Sequence, residues 1–280
     1  MDGTRSHILL VSDQAGYGKV ALSAQFPVLS HMGYQLYNLP TALVSNTFNY
    51  GKFDVLDTTG YMRNSLACWK ELGFRFDAVS TGFIASAEQA DLVAGFCREQ
   101  AAQGALIFSD PIMADDGELY CGLTETTVGF LRTIIAEADV ITPNYTEAAL
   151  LTGLPYRPES ETAESLRQMI DALREIGSKS VVITSTLIDG RDVVCGYDHL
   201  SKAYFSFGYE RVPVFFPGTG DIFSAVTLGR LMQGRALQDA ARMAAGVVYR
   251  MVLANREIAD KFRGLPIERC LAMVDEPDGL

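Results

Sequence analysis

The sequence predicts an α/β fold with a mostly parallel sheet, and three observations lead to this prediction. From His7 onward, short apolar runs alternate with longer stretches of helical periodicity, which is typical of βαβ units. Two neighbouring segments in the second half alternate with a period of two, which predicts an antiparallel edge. No stretch among the 280 residues has the composition of a linker, so a single domain over residues 1–280 is expected.

The elements are predicted in order from this periodicity. Strands are expected at His7–Val11, Gln35–Leu39, Ala78–Ser80, Ala105–Phe108, Val140–Ile141 and Ser180–Ile183. Helices between them are expected at Val20–Met32, Thr59–Leu72, Ala87–Ala102, Thr126–Ala138 and Ala163–Ile176. The hairpin and the last two helices are expected at Asp192–Tyr197, Ala203–Tyr209, Asp221–Met232 and Leu237–Leu253, with a polar turn at Asp198-His199.

Composition excludes several classes of function. With 48% hydrophobic and 20% charged residues the chain is an ordinary globular protein. Its net charge of -11 argues against a nucleic-acid partner and against docking on anionic lipid. A small-molecule partner is therefore expected.

The cysteines, the histidines and the N-terminus also narrow the possibilities. The five cysteines lie far apart without a CxxC pair, and the three histidines are scattered, so neither a zinc site nor a Ser/His/Asp triad is expected. The polar segment Met1–His7 precedes an apolar run, Ile8–Val11, that is too short for a signal or membrane segment. A cytoplasmic location is expected.

A glycine-rich turn leads directly into a predicted helix at Phe216–Ala225. Gly218 and Gly220 allow a tight turn, so that backbone N–H groups and the positive end of the helix can bind a phosphate. Asp221 follows at once, where a carboxylate can accept the proton of an attacking alcohol. The alternative interpretation is that Asp221 is a helix-capping residue.

Two more polar segments follow predicted strands. Asp110 and Asp115 lie in one, and Asn144 and Glu147 lie in the other at a spacing that places them on one face of a helix start. Such side chains can hold a hydrated Mg²⁺ ion beside a nucleotide. A turn or a helix cap is the alternative for each segment.

The motifs Asp110-Pro111, Asn144-x-x-Glu147 and Gly218-Thr219-Gly220-Asp221 resemble, in order and spacing, those of the ribokinase superfamily. More narrowly, the chain resembles the pyridoxal/pyridoxamine kinases from about residue 7 to 255. The segments that carry this closer resemblance are Ser12–Gly18, Leu39–Ser45, Ser80–Phe83 and Thr142–Asn144. The resemblance implies a three-layer ribokinase-like fold, a homodimer, and transfer of phosphate from ATP to the 5′-hydroxymethyl group of a B6 vitamer. It also implies Mg²⁺, and it leaves a monovalent cation open.

The resemblance also implies residue roles. Asp221 is the base, with Gly218, Thr219 and Gly220 as an anion hole. The nucleotide and metal side comprises Asp110, Asp115, Thr142, Asn144, Glu147, Thr184, Ser185 and Thr186, of which Asp115, Thr142 and Glu147 lie nearest the metal. On the vitamer side, Ser12 bonds the polar edge of the ring and Phe83 packs on its face, although Phe83 as a core residue is an equal alternative.

The chain departs from the family pattern at two positions. Ala114 stands where glycine is usual, and Phe48 stands where a vitamer-contacting threonine is common, with Thr47 one place earlier. Cys121 follows the acidic loop, the polar segment that contains Asp110 and Asp115. It is a further candidate for the vitamer side, with a small apolar packing role as the alternative.

Several other functions compete with this interpretation. Gly16–Ala21 resembles a dinucleotide-binding fingerprint, but the next predicted strand ends without the acidic residue that this fingerprint requires. A P-loop is excluded because Val20 stands where Ser or Thr is required. A hydroxymethylpyrimidine or sugar kinase of the same superfamily is the closer enzyme alternative. A catalytically silent nucleotide-binding regulator is the last alternative.

Overall fold

The structure, a computed structural model, describes residues 6–275 and divides the chain into two compact units. Unit 1 comprises residues 1–85 and 211–280, and unit 2 comprises residues 86–210. The polar segment from Met1 to Arg5 lies outside the described residues. A single domain over the whole chain stays a prediction.

The first part of unit 1 is a parallel sheet with helices. Its elements are β1 (His7–Tyr17), α1 (Leu22–His31), β2 (Gln35–Asn46), β3 (Val55–Asp57), α2 (Thr59–Leu72) and β4 (Ala78–Thr81). The strand order is β4-β1-β2-β3, with β1 parallel to both β2 and β4 and with β3 antiparallel to β2. The antiparallel β3 was missed because all three of its residues are exposed and short strands carry little periodicity.

Strands β1 and β2 are longer than their apolar runs predict. Their pairing continues to Tyr17 and Asn46, although the prediction ended the strands at Val11 and Leu39. The ladder continues because backbone hydrogen bonds do not need apolar side chains. The segments Ser12–Gly18 and Leu39–Ser45 therefore lie largely within strands rather than in loops after them.

Unit 2 continues the parallel pattern and then turns antiparallel. Its elements are α3 (Ala87–Ala101), β5 (Leu106–Ser109), β6 (Ala114–Asp115), β7 (Glu118–Leu119), α4 (Glu125–Ile135), β8 (Val140–Ile141), α5 (Tyr145–Thr152), α6 (Ala163–Ile176), β9 (Ser180–Ile188), β10 (Arg191–Asp198) and β11 (Ala203–Gly208). Strands β5, β8 and β9 are parallel, and β10 and β11 follow antiparallel. The predicted α/β class, its mostly parallel sheet and its antiparallel edge are confirmed.

Unit 1 is completed by helices after the second unit. They are α7 (Thr219–Met232), α8 (Leu237–Asn255), α9 (Ile267–Cys270) and α10 (Ala272–Asp275). Helix α7 packs between α1 and α8, and most of its residues are buried. The two short helices were not predicted, because four-residue segments carry no usable periodicity. Within residues 6–275, no helix is long and apolar enough to span a bilayer.

Candidate active site

A left-handed glycine starts helix α7. Gly218 has φ 88° and ψ 0°, and a Cβ atom there would lie 2.0 Å from the carbonyl oxygen of Lys19. Any other residue would be strained and would clash with rigid backbone, so this turn requires glycine. Thr219, Gly220 and Asp221 form the first turn of α7, where N–H groups lack intrahelical acceptors and favour an anion.

Asp221 is buried in this first turn, with 8% of its surface exposed. The helix cap is Gly218, so the interpretation of Asp221 as the capping residue is wrong. Its carboxylate accepts hydrogen bonds from Nε2 of Gln25, at 3.3 Å, and from the backbone N–H of Ala21. Loss of solvent raises the pKa of Asp221 to about 6, because burial disfavours the charged form.

The donor from Ala21 comes from an unusual backbone. Ala21 has φ 48° and ψ -130°, a conformation that is strained for a residue with a Cβ atom. It lies directly before α1, the helix that also carries Gln25. Strain of this kind persists only where the surrounding structure over-determines it, and it concentrates at functional sites.

A second carboxylate, Asp13, lies near Asp221. It is half-buried on β1 beside Ser12. Loss of solvent and the negative charge of Asp221 raise the pKa of Asp13 to about 7. Sequence reasoning assigned Asp13 no role, although its position directly after Ser12 was a signal. The pair Asp13–Asp221 is separated by most of the chain, so the sequence pattern does not reveal it.

Ser12 and Phe83, two of the predicted vitamer residues, are joined by a hydrogen bond. The N–H of Phe83 donates to Oγ of Ser12 at 3.1 Å, and the hydroxyl of Thr41 donates to the carbonyl of Phe83 at 2.7 Å. Ser12 is fully buried, and Phe83 is 8% exposed. The structure therefore brings these two residues together.

Thr47 and Phe48 differ in their surroundings. Thr47 is buried, and its hydroxyl donates to the carbonyl oxygen of Phe262 at 2.7 Å. Phe48 packs on Phe53, with ring centroids 4.4 Å apart. The hydroxyl of Thr47 therefore supports the protein, and its role on the vitamer side stays a prediction.

In unit 2, Asn144 and Glu147 form a capping box at the start of α5. The amide oxygen of Asn144 accepts from the N–H of Glu147, and the carboxylate of Glu147 accepts from the N–H of Asn144, both at 2.9 Å. The carboxylate also accepts from the N–H groups of Met113, at 3.0 Å, and Ala114, at 3.4 Å. The predicted placement of both side chains at the start of one helix is confirmed. They form the helix cap that was the alternative interpretation of this segment.

The acidic loop that carries Asp110 and Asp115 is hydrogen-bonded to the start of α5. Nδ2 of Asn144 donates to the carbonyl of Ala114 at 2.7 Å, and the N–H of Gly117 donates to the hydroxyl of Thr146 at 2.9 Å. Asp116 and Gly117 form the two-residue turn between β6 and β7, and both have the positive φ that such a turn requires. Alanine fits position 114, because the loop is held there through the backbone N–H and carbonyl groups of Ala114.

The Glu147 carboxylate and Asp110 repel one another. Both are buried, with 3% and 6% of their surfaces exposed. Burial and the charge of Asp110 raise the pKa of Glu147 well above its ordinary value. A bound cation would relieve this repulsion, so the residues fit a divalent ion held mainly by phosphates and water. Within residues 6–275, no group of three or more histidine, cysteine or acidic side chains could hold a metal by itself.

Of the remaining predicted residues of unit 2, Thr142 follows the end of β8. Thr184, Ser185 and Thr186 lie within β9, because this strand continues to Ile188 and does not end at the predicted Ile183. Thr142 is buried after β8, and its N–H donates to the carbonyl of Ser109 at 3.0 Å. Thr184 is half-buried and Ser185 is exposed, with φ 58°. Thr186 is fully buried, and its hydroxyl donates to the carbonyl of Val193 at 2.5 Å. This bond joins β9 to β10.

Cys121 is an exposed free thiol between β7 and α4.

Comparison with known proteins adds family information. A family model described as "Phosphomethylpyrimidine kinase" matches residues 29–264. The chain is 26% identical to pyridoxal kinase PdxY of Corynebacterium diphtheriae, and the match covers 88% of each chain. It is 28% identical to a pyridoxine/pyridoxal/pyridoxamine kinase of Bordetella avium, over 89% of this chain and 85% of the relative.

Solved structures give the same result. A Bacteroides thetaiotaomicron protein assigned to the phosphomethylpyrimidine kinases, crystallised with pyridoxal, is 35% identical with a TM-score of 0.93, covering 99% of this chain and 98% of the other. Pyridoxal kinase from Lactobacillus plantarum is 29% identical with a TM-score of 0.85, covering 96% of each chain.

Proposed function

The chain belongs to the phosphomethylpyrimidine kinase family within the ribokinase-like superfamily, and we propose that it transfers the γ-phosphate of ATP to the 5′-hydroxymethyl group of a B6 vitamer. The observation that carries the proposal is the buried Asp221 beside the Gly218 turn. Relatives named as pyridoxal kinases, and a structural neighbour crystallised with pyridoxal, support the vitamer as acceptor.

In the proposed mechanism, Asp221 accepts the proton of the 5′-hydroxyl group. A general base works best when its pKa lies near the working pH, and a pKa of about 6 leaves Asp221 ionised at neutral pH yet more basic than an exposed aspartate. The N–H groups at the start of α7, in Gly218-Thr219-Gly220-Asp221, stabilise negative charge on the transferred phosphoryl group.

The vitamer ring is assigned to Ser12 and Phe83. The ring of Phe83 offers an apolar face, and a flat heteroaromatic ring gains stacking energy from it. Its backbone is held by Ser12 and Thr41. Thr47 supports this side through its bond to Phe262.

The nucleotide phosphates and the metal are assigned to unit 2. Asp115, Thr142 and Glu147 would hold Mg²⁺, which neutralises phosphate charge when bound, and Asp110 would lie beside the phosphates. Because three backbone N–H groups already bond Glu147, it acts on the ion through water. Thr184 and Ser185 are proposed to line the nucleotide groove, whereas the bond of Thr186 to Val193 favours a structural role. A phosphate contact for Asn144 would compete with its bond to Ala114.

A homodimer is proposed from one surface of unit 1. Leu43 on β2 and Val55 and Leu56 on the edge strand β3 are apolar and exposed, with 43%, 43% and 62% of their surfaces accessible. An edge strand with apolar side chains is a ready site for association with a second copy. A cytoplasmic location stays a proposal from the sequence of the N-terminus, and the family resemblance leaves a monovalent cation open.

A hydroxymethylpyrimidine kinase is the second candidate, because the matching family model carries that description. The deciding experiment measures ADP formation with ATP, Mg²⁺ and each of pyridoxal, pyridoxamine, pyridoxine and hydroxymethylpyrimidine. We expect kcat/KM for at least one vitamer to exceed that for hydroxymethylpyrimidine. A reversed order would favour the second candidate, and no turnover with any acceptor would favour a silent nucleotide-binding protein.

A further inference from the structure

Asp13 occupies an irregular position of the unit 1 sheet. Ser12 pairs with Pro40 and Gln14 pairs with Leu43, so two residues of β2 stand opposite Asp13. This is a β-bulge, a feature that redirects side chains and is common beside active sites.

Hydrogen bonds connect Asp13 to the vitamer residues on one side. The carboxylate of Asp13 accepts from the hydroxyl of Ser12, and Oγ of Ser12 accepts from the N–H of Phe83. On the other side, Gln14 forms a β-bridge with Ala21, whose N–H donates to Asp221. Asp13 therefore lies between the residues assigned to the ring and the proposed base.

The charge around Asp13 favours a cationic partner. Two carboxylates lie close together here, and the charge of Asp221 raises the pKa of Asp13. Lys19, on the loop that follows β1, is ion-paired with Glu268. A positive group placed against Asp13 would favour its ionised form.

The chemistry of the vitamers supplies such a group in one case. The substituent on ring carbon 4 neighbours the hydroxymethyl group on carbon 5. It is an aldehyde in pyridoxal, an alcohol in pyridoxine and a protonated aminomethyl group in pyridoxamine. When the 5′-hydroxyl lies at Asp221, the carbon-4 substituent lies a few ångströms away, within reach of a carboxylate beside that base.

We propose that Asp13 is a specificity-determining residue that binds the 4′-ammonium group of pyridoxamine. The inference rests on the proposed function, because it requires the vitamer hydroxymethyl group at Asp221. A charge-assisted hydrogen bond in a partly buried site is stronger than a neutral one, so the amine vitamer gains most from this residue.

The test is Asp13→Asn, which keeps the shape of the side chain and an acceptor for Ser12. We expect kcat/KM for pyridoxamine to fall by about 10- to 100-fold, the effect of losing one charged hydrogen bond. Values for pyridoxal and pyridoxine should stay within about threefold, which also shows that the variant folds. Asp54→Asn removes the same charge at an exposed position of unit 1 and should change none of the three.

Calorimetric binding of pyridoxamine to the same variants provides a second measurement, and its Kd should rise in parallel. An equal loss for all three vitamers would overturn the inference, because it would indicate a ring or structural role for Asp13. An unchanged pyridoxamine value would also overturn it. If the unmodified protein phosphorylates no vitamer, the proposed function fails and the inference falls with it, an outcome distinct from the other two.

Discussion

Asp221 in unit 1 and Glu147 in unit 2 occupy the same position of a helix, the third residue of α7 and α5, and both are buried. Their partners differ. Glu147 accepts three backbone N–H bonds, one of them from the cap residue of its own helix. Asp221 follows a glycine cap that offers no side chain, and it accepts from Ala21 and from the distant Gln25.

This difference separates two uses of a buried carboxylate. A carboxylate bonded to several backbone groups organises a loop, and little of its acceptor capacity remains for chemistry. A carboxylate with fewer donors, one of them at 3.3 Å, keeps acceptor capacity for a substrate proton. We therefore expect substitutions in unit 1 to change turnover and substitutions in unit 2 to change metal and nucleotide use.

Asp221→Asn is expected to have the largest effect. Loss of a positioned general base should lower kcat with pyridoxal by about two to four orders of magnitude. ATP affinity should stay within about twofold, because the nucleotide is proposed to bind unit 2. Steady-state kinetics and nucleotide titration measure both. Turnover near that of the unmodified protein would remove Asp221 from the mechanism.

The same variant should gain thermal stability, and the gain should depend on pH. Burial raises the pKa of Asp221 from its ordinary value of 3.8 to about 6, so the unfolded chain loses this proton first as pH rises. Stability is therefore lost between these two values and stays lost above them. We expect the Tm of Asp221→Asn to exceed that of the unmodified protein by a few degrees at pH 8, and by less at pH 5. A lower Tm at pH 8 would contradict the stated cause of the shift.

Glu147→Gln tests the other half of the comparison. The amide cannot accept all the N–H groups that the carboxylate accepts, so the acidic loop loosens where Mg²⁺ is proposed to bind. Half-saturation by Mg²⁺ should rise by about three- to tenfold, while KM for pyridoxal changes less than about twofold. Glu159→Gln, at an exposed position of the same unit, is the matched control. A large loss of pyridoxal affinity with normal Mg²⁺ dependence would reverse the assignment of the two units.

Gln25→Leu sharpens the interpretation of unit 1. Gln25 is 2% exposed, and its Nε2 favours the ionised form of Asp221, so its removal should raise the pKa of the base. We expect kcat/KM at pH 7 to fall by about three- to tenfold and the acidic limb of its pH profile to move upward from about pH 6. Activity should recover at higher pH. A purely structural role would lower Tm and leave this limb in place.

The comparison also indicates what sequence can and cannot predict. The capping box of Asn144 and Glu147 is local, and its spacing was visible. Two hairpins were missed although Asp116-Gly117 and Asp189-Gly190 are Asp-Gly pairs, the usual sequence of such turns. The pair Asp189-Gly190 could have predicted that β9 continues to Ile188. By contrast, the proximity of Asp13 to Asp221 depends on tertiary packing, in which α1 and Lys19 after β1 lie against α7, and no local pattern encodes it.

Cys121→Ser is expected to have the smallest effect, and it tests whether unit 2 contributes to vitamer recognition. A thiol near bound pyridoxal could form a reversible hemithioacetal with the aldehyde, which pyridoxamine cannot do because it has none. The thiol is exposed in the loop between β7 and α4, whereas Ser12, Phe83 and Asp221 belong to unit 1. An exposed side chain without a role in packing can be replaced with little effect. We therefore expect kcat/KM for both vitamers to change by less than about threefold. A collapse with pyridoxal alone would show a covalent role for Cys121, and vitamer recognition would then no longer belong to unit 1 alone.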